Sequence, residues 1–529
     1  MIRPVPTLFA LLAALALAGA VHAAGHAGHG TITLTPIGGF DHGGFDEGAA
    51  EIAAYDPASE RLFVVNSEAT TLDVLDLSDP TAPTLIEQRD MTAFGDGANS
   101  VAVHDGLVAV AIEADAVDAN GVVLFTDADG TVLAQHEAGV LPDMLTFTPD
   151  GMHVVVANEG EPSDDYAVDP EGSITIIDLP DDRDPAAAAV RQVDFRAFDG
   201  REDVLRAEGV RIYGPGATTS QDLEPEYVAI PEGTLTAYVA LQENNALAVV
   251  DLVAGEVTDV VALGLKDWSR LTLDVNDDDG VASFASWPIH GMYQPDAIAP
   301  FTVDGRGYVV TANEGDARDY DTFSEEARVE DVELDAGVFG DVAALQAEDA
   351  LGRLELSTAT GDLDGDGAHE RIDAYGARSI SVWNEAGQLV WDSGDTIETT
   401  VAELHPELHN VDNDESAAES FDGRSDAKGP EPEGVVVGHV DGTPYAFVGL
   451  ERVGGVMTFD LSDPTAPTFA GYHNDRPIDA AADGPDGGDL GPEGLVFVPA
   501  DASPNGRDLL IVAFEISGTT RIYEVGHAH

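Results

Sequence analysis

Acidic residues recur in pairs along this chain. One acid opens an extended apolar run and a second lies just past the end of the next run. The pairs are Glu51 with Glu68, Asp143 with Glu159, Glu226 with Glu243, Asp296 with Glu314, Glu433 with Glu451, and Glu493 with Glu515; Asn99 with Glu113 takes the same place once. Carboxylates gathered in one partly dry site repel one another and hold their protons more tightly than in water. Such a group needs a cation, a shared proton or a basic partner, and Arg318 and Arg452 are candidate partners. The chain has no cysteine, so its metal donors are mainly oxygens, which suit calcium or magnesium. The plainer use of each acid is to accept N–H bonds from a neighbouring unit.

A second constellation is compact. Asp362, Asp364 and Asp366 alternate, Gly367 follows, and Glu370 and Asp373 complete an EF-hand-like calcium loop. Alternate side chains in such a loop converge on one ion, and the glycine permits the sharp turn. The stretch Asp274-Val275-Asn276-Asp277-Asp278 is similar but lacks that glycine. Among the histidines, His26 and His29 lie in a flexible leader (24–30), and His290, His405, His409 and His439 read as surface residues. His405 and His409 have i, i+4 spacing, but Pro406 argues against a helix interior between them. No nucleophile elbow, phosphate loop or dinucleotide fingerprint occurs. Ser67, Ser100 and Ser517 are the hydroxyls nearest the acidic pairs.

What must position the pairs is a repeated strand–turn–strand unit. In Leu141 to Gly160 a first strand leads through Pro149-Asp150-Gly151 to the apolar run Val154-Val155-Val156-Ala157. Seven such units follow one another, each with its own acid pair or the Asn99 variant. The heptapeptide Leu77-Ser78-Asp79-Pro80-Thr81-Ala82-Pro83 returns letter for letter at Leu461 to Pro467. Short strands in similar units, joined by Gly, Asp and Pro turns, predict an all-β, seven-bladed β-propeller in one domain over 31–526. The first strand of each blade would line a central channel, with the acids at its mouth. Insertions interrupt the units at about 181–216, 265–288 and 317–429; the first is expected to be a loop with a short helix, and 335–350 has helical periodicity.

The charge balance is 99 acidic against 23 basic residues, a net −76, and Lys266 and Lys428 are the only lysines. Such a surface repels nucleic acid and anionic lipid, and it matches a protein kept soluble in salt. Residues 1–23 read as a signal peptide: Arg3 supplies charge, Leu8 to Ala20 is a short apolar run, and cleavage is expected near Ala23. No second apolar run approaches the length of a membrane span. The expectation is a secreted or periplasmic protein without a C-terminal anchor.

Several longer motifs then stand out. They are Leu141-Pro142-Asp143-Met144 with Asn158-Glu159-Gly160-Glu161-Pro162, and Thr311-Ala312-Asn313-Glu314-Gly315-Asp316-Ala317-Arg318. Tyr375-Gly376-Ala377-Arg378-Ser379 and the stretch Gly423 to Gly434 join them. Together they resemble the choice-of-anchor I family, which includes mesenchyme-specific cell-surface glycoproteins and atypical bacterial alkaline phosphatases, over about residues 31–525. The resemblance implies an exported β-propeller and carries no catalytic residue set. Three functions are consistent with it. The first is a calcium-binding extracellular protein interacting with matrix or mineral. The second is a metal-dependent phosphomonoesterase, with cations on Asp143, Glu159, Asp296, Glu314 and Glu433 activating water and Arg318, Arg424 or Arg452 clamping phosphate. The third is a scaffold without a site.

Overall fold

A computed structural model describes residues 31–484 and 486–528. The expected signal peptide and the leader with His26 and His29 lie outside the described residues. The described chain is all-β, with seven four-stranded antiparallel sheets. Sheet 1 is Ala53–Asp56, Arg61–Asn66, Thr71–Asp76 and Thr84–Asp90; sheet 2 is Ala98–His104, Leu107–Ile112, Asn120–Asp127 and Val132–Val140. Sheet 3 is Pro142–Phe147, His153–Asn158, Ser173–Asp178 and Ala189–Asp194; sheet 4 is Val228–Ala229, Thr236–Leu241, Ala246–Asp251 and Glu256–Ala262. Sheet 5 is Ile298–Val303, Arg306–Asn313, Ser379–Asn384 and Leu389–Asp392; sheet 6 is Pro432–Val440, Thr443–Leu450, Val456–Asp460 and Thr468–His473. Sheet 7 is Pro492–Val498, Leu509–Phe514 and Thr519–His527, completed by the N-terminal strand Ile32–Asp41.

The first strand of each sheet touches the first strand of the next, and that of sheet 7 touches that of sheet 1. The ring therefore closes, which is the β-propeller arrangement. Closure is tied by the two ends of the chain: Ile32 pairs with His527 and Asp41 with Thr519. Apolar cores fill the wedges between neighbouring sheets, for example Phe63 and Val108 between sheets 1 and 2, and Phe447 and Leu510 between sheets 6 and 7. Second strands such as Leu107–Ile112 and Leu509–Phe514 are buried throughout, so they read as continuous apolar runs rather than alternating ones. The outermost strand of sheet 1, Thr84–Asp90, is almost wholly exposed. The repeated heptapeptide forms the same turn twice, with Asp79 accepting from Thr81 and Asp463 from Thr465.

The insertions differ from expectation. The stretch 181–216 contains the fourth strand of sheet 3, Ala189–Asp194, as well as the helix Glu202–Glu208. Two strands within 317–429 complete sheet 5, so that stretch divides into one insertion between Asn313 and Ser379 and another between Asp392 and Pro432, and 335–350 forms two short helices, Ala336–Phe339 and Val342–Leu345. The insertions share a satellite core that includes Trp268, Ile289, Val329, Leu354 and Ile372. Leu265–Asp267, His290–Met292 and Asp373–Ala374 form a small sheet beside it.

Candidate metal centre at the ring mouth

One backbone device places the acids. Leu141, Gln294, Glu431 and Gly491 take the left-handed conformation, with φ of 48°, 40°, 52° and 68°, and proline follows each. The next residue is the first acid: Asp143, Asp296, Glu433 or Glu493. The carbonyl of the left-handed residue accepts an N–H from the end of the second strand: Glu159 at 2.8 Å, Gly315 at 3.1 Å, Glu451 at 2.8 Å and Glu515 at 2.8 Å. In sheets 3, 6 and 7 the register slips just after the proline, a bulge that takes the acid out of strand alternation. The left-handed conformation costs about 1–2 kcal/mol at each non-glycine position. Leu141, Gln294 and Glu431 carry that strain directly beneath the acids.

The same bond locates the second acid in sheets 1 and 2. Glu113 donates its N–H to Gly97, and Ser67 donates its N–H to Gly48. Ser67, not Glu68, therefore stands beside Glu51, and its hydroxyl donates to Glu51 Oε1 at 2.6 Å. Glu68 is exposed and belongs to none of the acidic groups. Glu159, Glu226 and Glu243 likewise belong to none of those groups, but they are buried among carboxylates.

A cavity of about 310 Å³ is lined by Glu51, Asn99, Asp143, Asp296, Glu493 and Glu515, with Tyr227 among its walls. Burial, and then the mutual charges, push Asp143 up to about 7. Burial also carries Glu51 to about 7, against the Ser67 hydroxyl, and takes Glu515 to about 7 with help from the Glu51 charge. The same cause holds Glu159, Glu226, Asp296, Glu433, Glu451 and Glu493 well above the carboxylate range. Both oxygens of Glu226, and one each of Glu243, Glu433 and Glu493, are buried without a hydrogen-bond partner.

Three triads bring one oxygen from each member within 4.8 Å of the others: Asp296–Glu314–Glu433, Glu433–Glu451–Glu515 and Glu314–Glu431–Glu451. A calcium ion holds its ligands at roughly 2.4 Å, so oxygens about 4.8 Å apart or less can share one. The third triad already has cations from the protein. Lys428 Nζ lies 2.9 Å from Glu314 and 3.3 Å from Glu431, Arg424 lies 2.8 Å from Glu431, and Arg452 lies 3.1 Å from Glu451. Burial alone would raise Glu431, but the Lys428, Arg424 and Arg452 charges hold it at about 2. Sequence reasoning missed Lys428 and Glu431. The signal was there, because one of two lysines in a chain this acidic must face carboxylates.

Arg318 does not reach the mouth as a free phosphate clamp. It is buried, paired with Asp222 and with Glu224 at 2.6 Å, and it also donates to the Asp222 carbonyl. Arg424 and Arg452 remain partly exposed at the rim.

In the second constellation, Asp362, Asp364, Asp366 and Glu370 come together. Asp362 accepts the N–H groups of Gly365 and Gly367, and Glu370 accepts that of Leu363 at 2.7 Å. Asp373 leaves the loop. It is buried on a strand, paired with Arg371 at 2.6 Å and accepting from Thr360. A larger cavity, about 710 Å³, lies beside this loop. His409 is not a surface residue: it is wholly buried against Asp274 and Asp422.

A closed ring of antiparallel sheets with carboxylates crowding its mouth defines an acidic-channel β-propeller. The chain belongs to the choice-of-anchor I domain family, whose model matches residues 51–464. It is 30% identical over 193 residues to Gigasin-3a of Magallana gigas, covering 35% of this chain and 68% of that protein. It is 28% identical over 335 residues to the mesenchyme-specific cell surface glycoprotein of Strongylocentrotus purpuratus, covering 55% of this chain and 43% of the relative. The chain thus spans less than half of that relative's length. Among solved structures, hydrazine synthase of Kuenenia stuttgartiensis aligns with 91% of this chain and 97% of its own, at 13% identity and a TM-score of 0.44. No described helix is long and apolar enough to cross a membrane.

Proposed function

We propose that this chain is a calcium-binding, seven-bladed β-propeller of extracellular or cell-surface type, with its seven sheets as blades. The channel mouth holds divalent cation around Glu433, and the Asp362–Glu370 loop holds a second. The observation that carries this reading is Glu433 itself. It belongs to two acidic triads, and its Oε2 is buried with no donor. The charges of Glu451, Glu515 and Glu314 all oppose its ionisation. A cation removes that repulsion where no side-chain donor does. The surface setting is supported by the sea-urchin relative, a mesenchyme-specific cell surface glycoprotein. Binding to matrix or mineral through bound calcium follows from the same chemistry.

The test is calorimetric titration of chelator-stripped protein with calcium at fixed, high ionic strength. Wild type should show two classes of site. Glu433→Gln should lose the channel class and keep the loop class, and Asp362→Asn should do the reverse. A wild-type chain that takes up no calcium refutes the proposal. The second reading, a metal-dependent phosphomonoesterase, is favoured by Arg452 beside Glu451 of a Glu433 triad and by Arg424 beside Glu431 of the adjoining triad. Turnover of a chromogenic phosphate ester that needs divalent metal and vanishes in Glu314→Gln would establish it; no turnover with any divalent metal would exclude it.

A further inference from the structure

Away from the channel, the insertions bring together three residues that neither the ring nor the loop uses. Asp274 comes from the segment after sheet 4; His409 and Asp422 come from the segment between sheets 5 and 6. All three are 0% exposed. His409 Nε2 lies 3.0 Å from Asp274 Oδ2 and 3.7 Å from Asp422 Oδ1. Ligands held ~2.1 Å from one ion sit ~3.0 Å apart at a right angle and ~3.4 Å apart in a tetrahedron. The observed separations bracket those edges.

The charge count points the same way. The neighbouring cation, Arg378, is consumed by Glu398 at 2.9 Å and by the carbonyls of Asp274, Ser425 and Ala427. Two buried carboxylates and one imidazole remain. A protonated histidine leaves one net negative charge in the interior; a neutral histidine with a divalent ion leaves none. Uncompensated buried charge is costly. Acceptors also outnumber donors. Asp422 Oδ2, Glu398 Oε2 and Asn410 Oδ1 are buried without a partner, against one unpartnered nitrogen of the cluster, His409 Nδ1. They belong to one network, because Asn410 donates to Glu398 and to Ser425, and Ser425 donates to Asp422 at 2.6 Å.

We propose that Asp274, His409 and Asp422 form a buried site for a divalent transition-metal ion of the zinc or manganese type. One imidazole nitrogen with carboxylate oxygens suits those ions better than calcium. The ion clasps the two insertions together. It also fixes the segment that carries Arg424, whose backbone N–H bonds to Asn410 at 2.9 Å. The site stands apart from the channel triads and does not depend on them.

Two experiments test it with the full chain. Crystals grown with zinc, and others with manganese, should show an anomalous peak within bonding distance of His409 Nε2 and both carboxylates; no peak there with either ion overturns the proposal. In solution, chelator-stripped protein is first saturated with calcium, which fills the all-oxygen sites, and is then titrated with cobalt(II). His409→Gln and Asp422→Asn should each weaken the tightest cobalt site by at least ~100-fold, since even loss of an outer-shell partner costs ~10–100-fold. Glu433→Gln should leave it unchanged. Unchanged cobalt affinity in His409→Gln also overturns the proposal. If that variant does not fold, Asp422→Asn and the wild-type crystals decide.

Discussion

Replacing Glu515 by glutamine tests the electrostatic account of the ring directly. Burial, and then the charge of Glu51, lift Glu515 from 4.5 to about 7. The folded state therefore binds this proton more tightly than the unfolded chain does. A raised carboxylate contributes stability that is fully present below 4.5 and is lost as pH climbs through 7. The 2.5-unit difference corresponds to about 3 kcal/mol for one group. Glutamine cannot ionise, so it escapes that loss. In chelator, Glu515→Gln should match wild type near pH 4.5 and exceed it by about 3 kcal/mol at pH 8. Urea unfolding at fixed, high ionic strength reads the difference. Calcium should narrow the gap, because wild type gains about 2.7 kcal/mol at a hundredfold excess over its dissociation constant, and the variant gains less. A variant less stable than wild type at pH 8 in chelator would refute the reasoning. So would a wild-type stability that does not fall between pH 5 and pH 8.

Two further perturbations separate structural from ligand-binding roles. Arg318→Met leaves Asp222 and Glu224 buried without their cation, and should cost about 3–5 kcal/mol of stability while channel calcium affinity in the folded protein is retained. Loss of channel calcium binding in a folded Arg318→Met would place Arg318 in the site after all. Asp373→Asn removes the charge facing Arg371 and should cost about 1–3 kcal/mol with loop calcium affinity unchanged. Asp362→Asn should abolish loop binding with little effect on stability in chelator. Equal losses of loop affinity in both variants would return Asp373 to the loop.

Five of the pairs share a repeated local pattern, an acid after proline and an acid after an apolar run, whereas Glu51 follows Ala50. The miss at Glu68 has a local cause. The second place is defined by an N–H bond to a left-handed residue upstream, and in sheet 1 that bond falls on Ser67, one residue before the acid that spacing selects. Asp373 was misassigned because loop counting ignores pairing. A parallel bridge to His290 pulls it into a sheet, and Arg371 then neutralises it.

Sequence alone determined the strand-rich repeats and the oxygen chemistry of their acids, since these follow from residue type and from periods of a few residues. Tertiary structure decided the rest. It brought Ile32–Asp41 alongside Thr519–His527 to close the ring, and it set Lys428 against Glu314 across 114 residues. It also buried His409 between Asp274 and Asp422. Each of these contacts depends on burial and on charges arriving from distant segments, and no short stretch of chain encodes either.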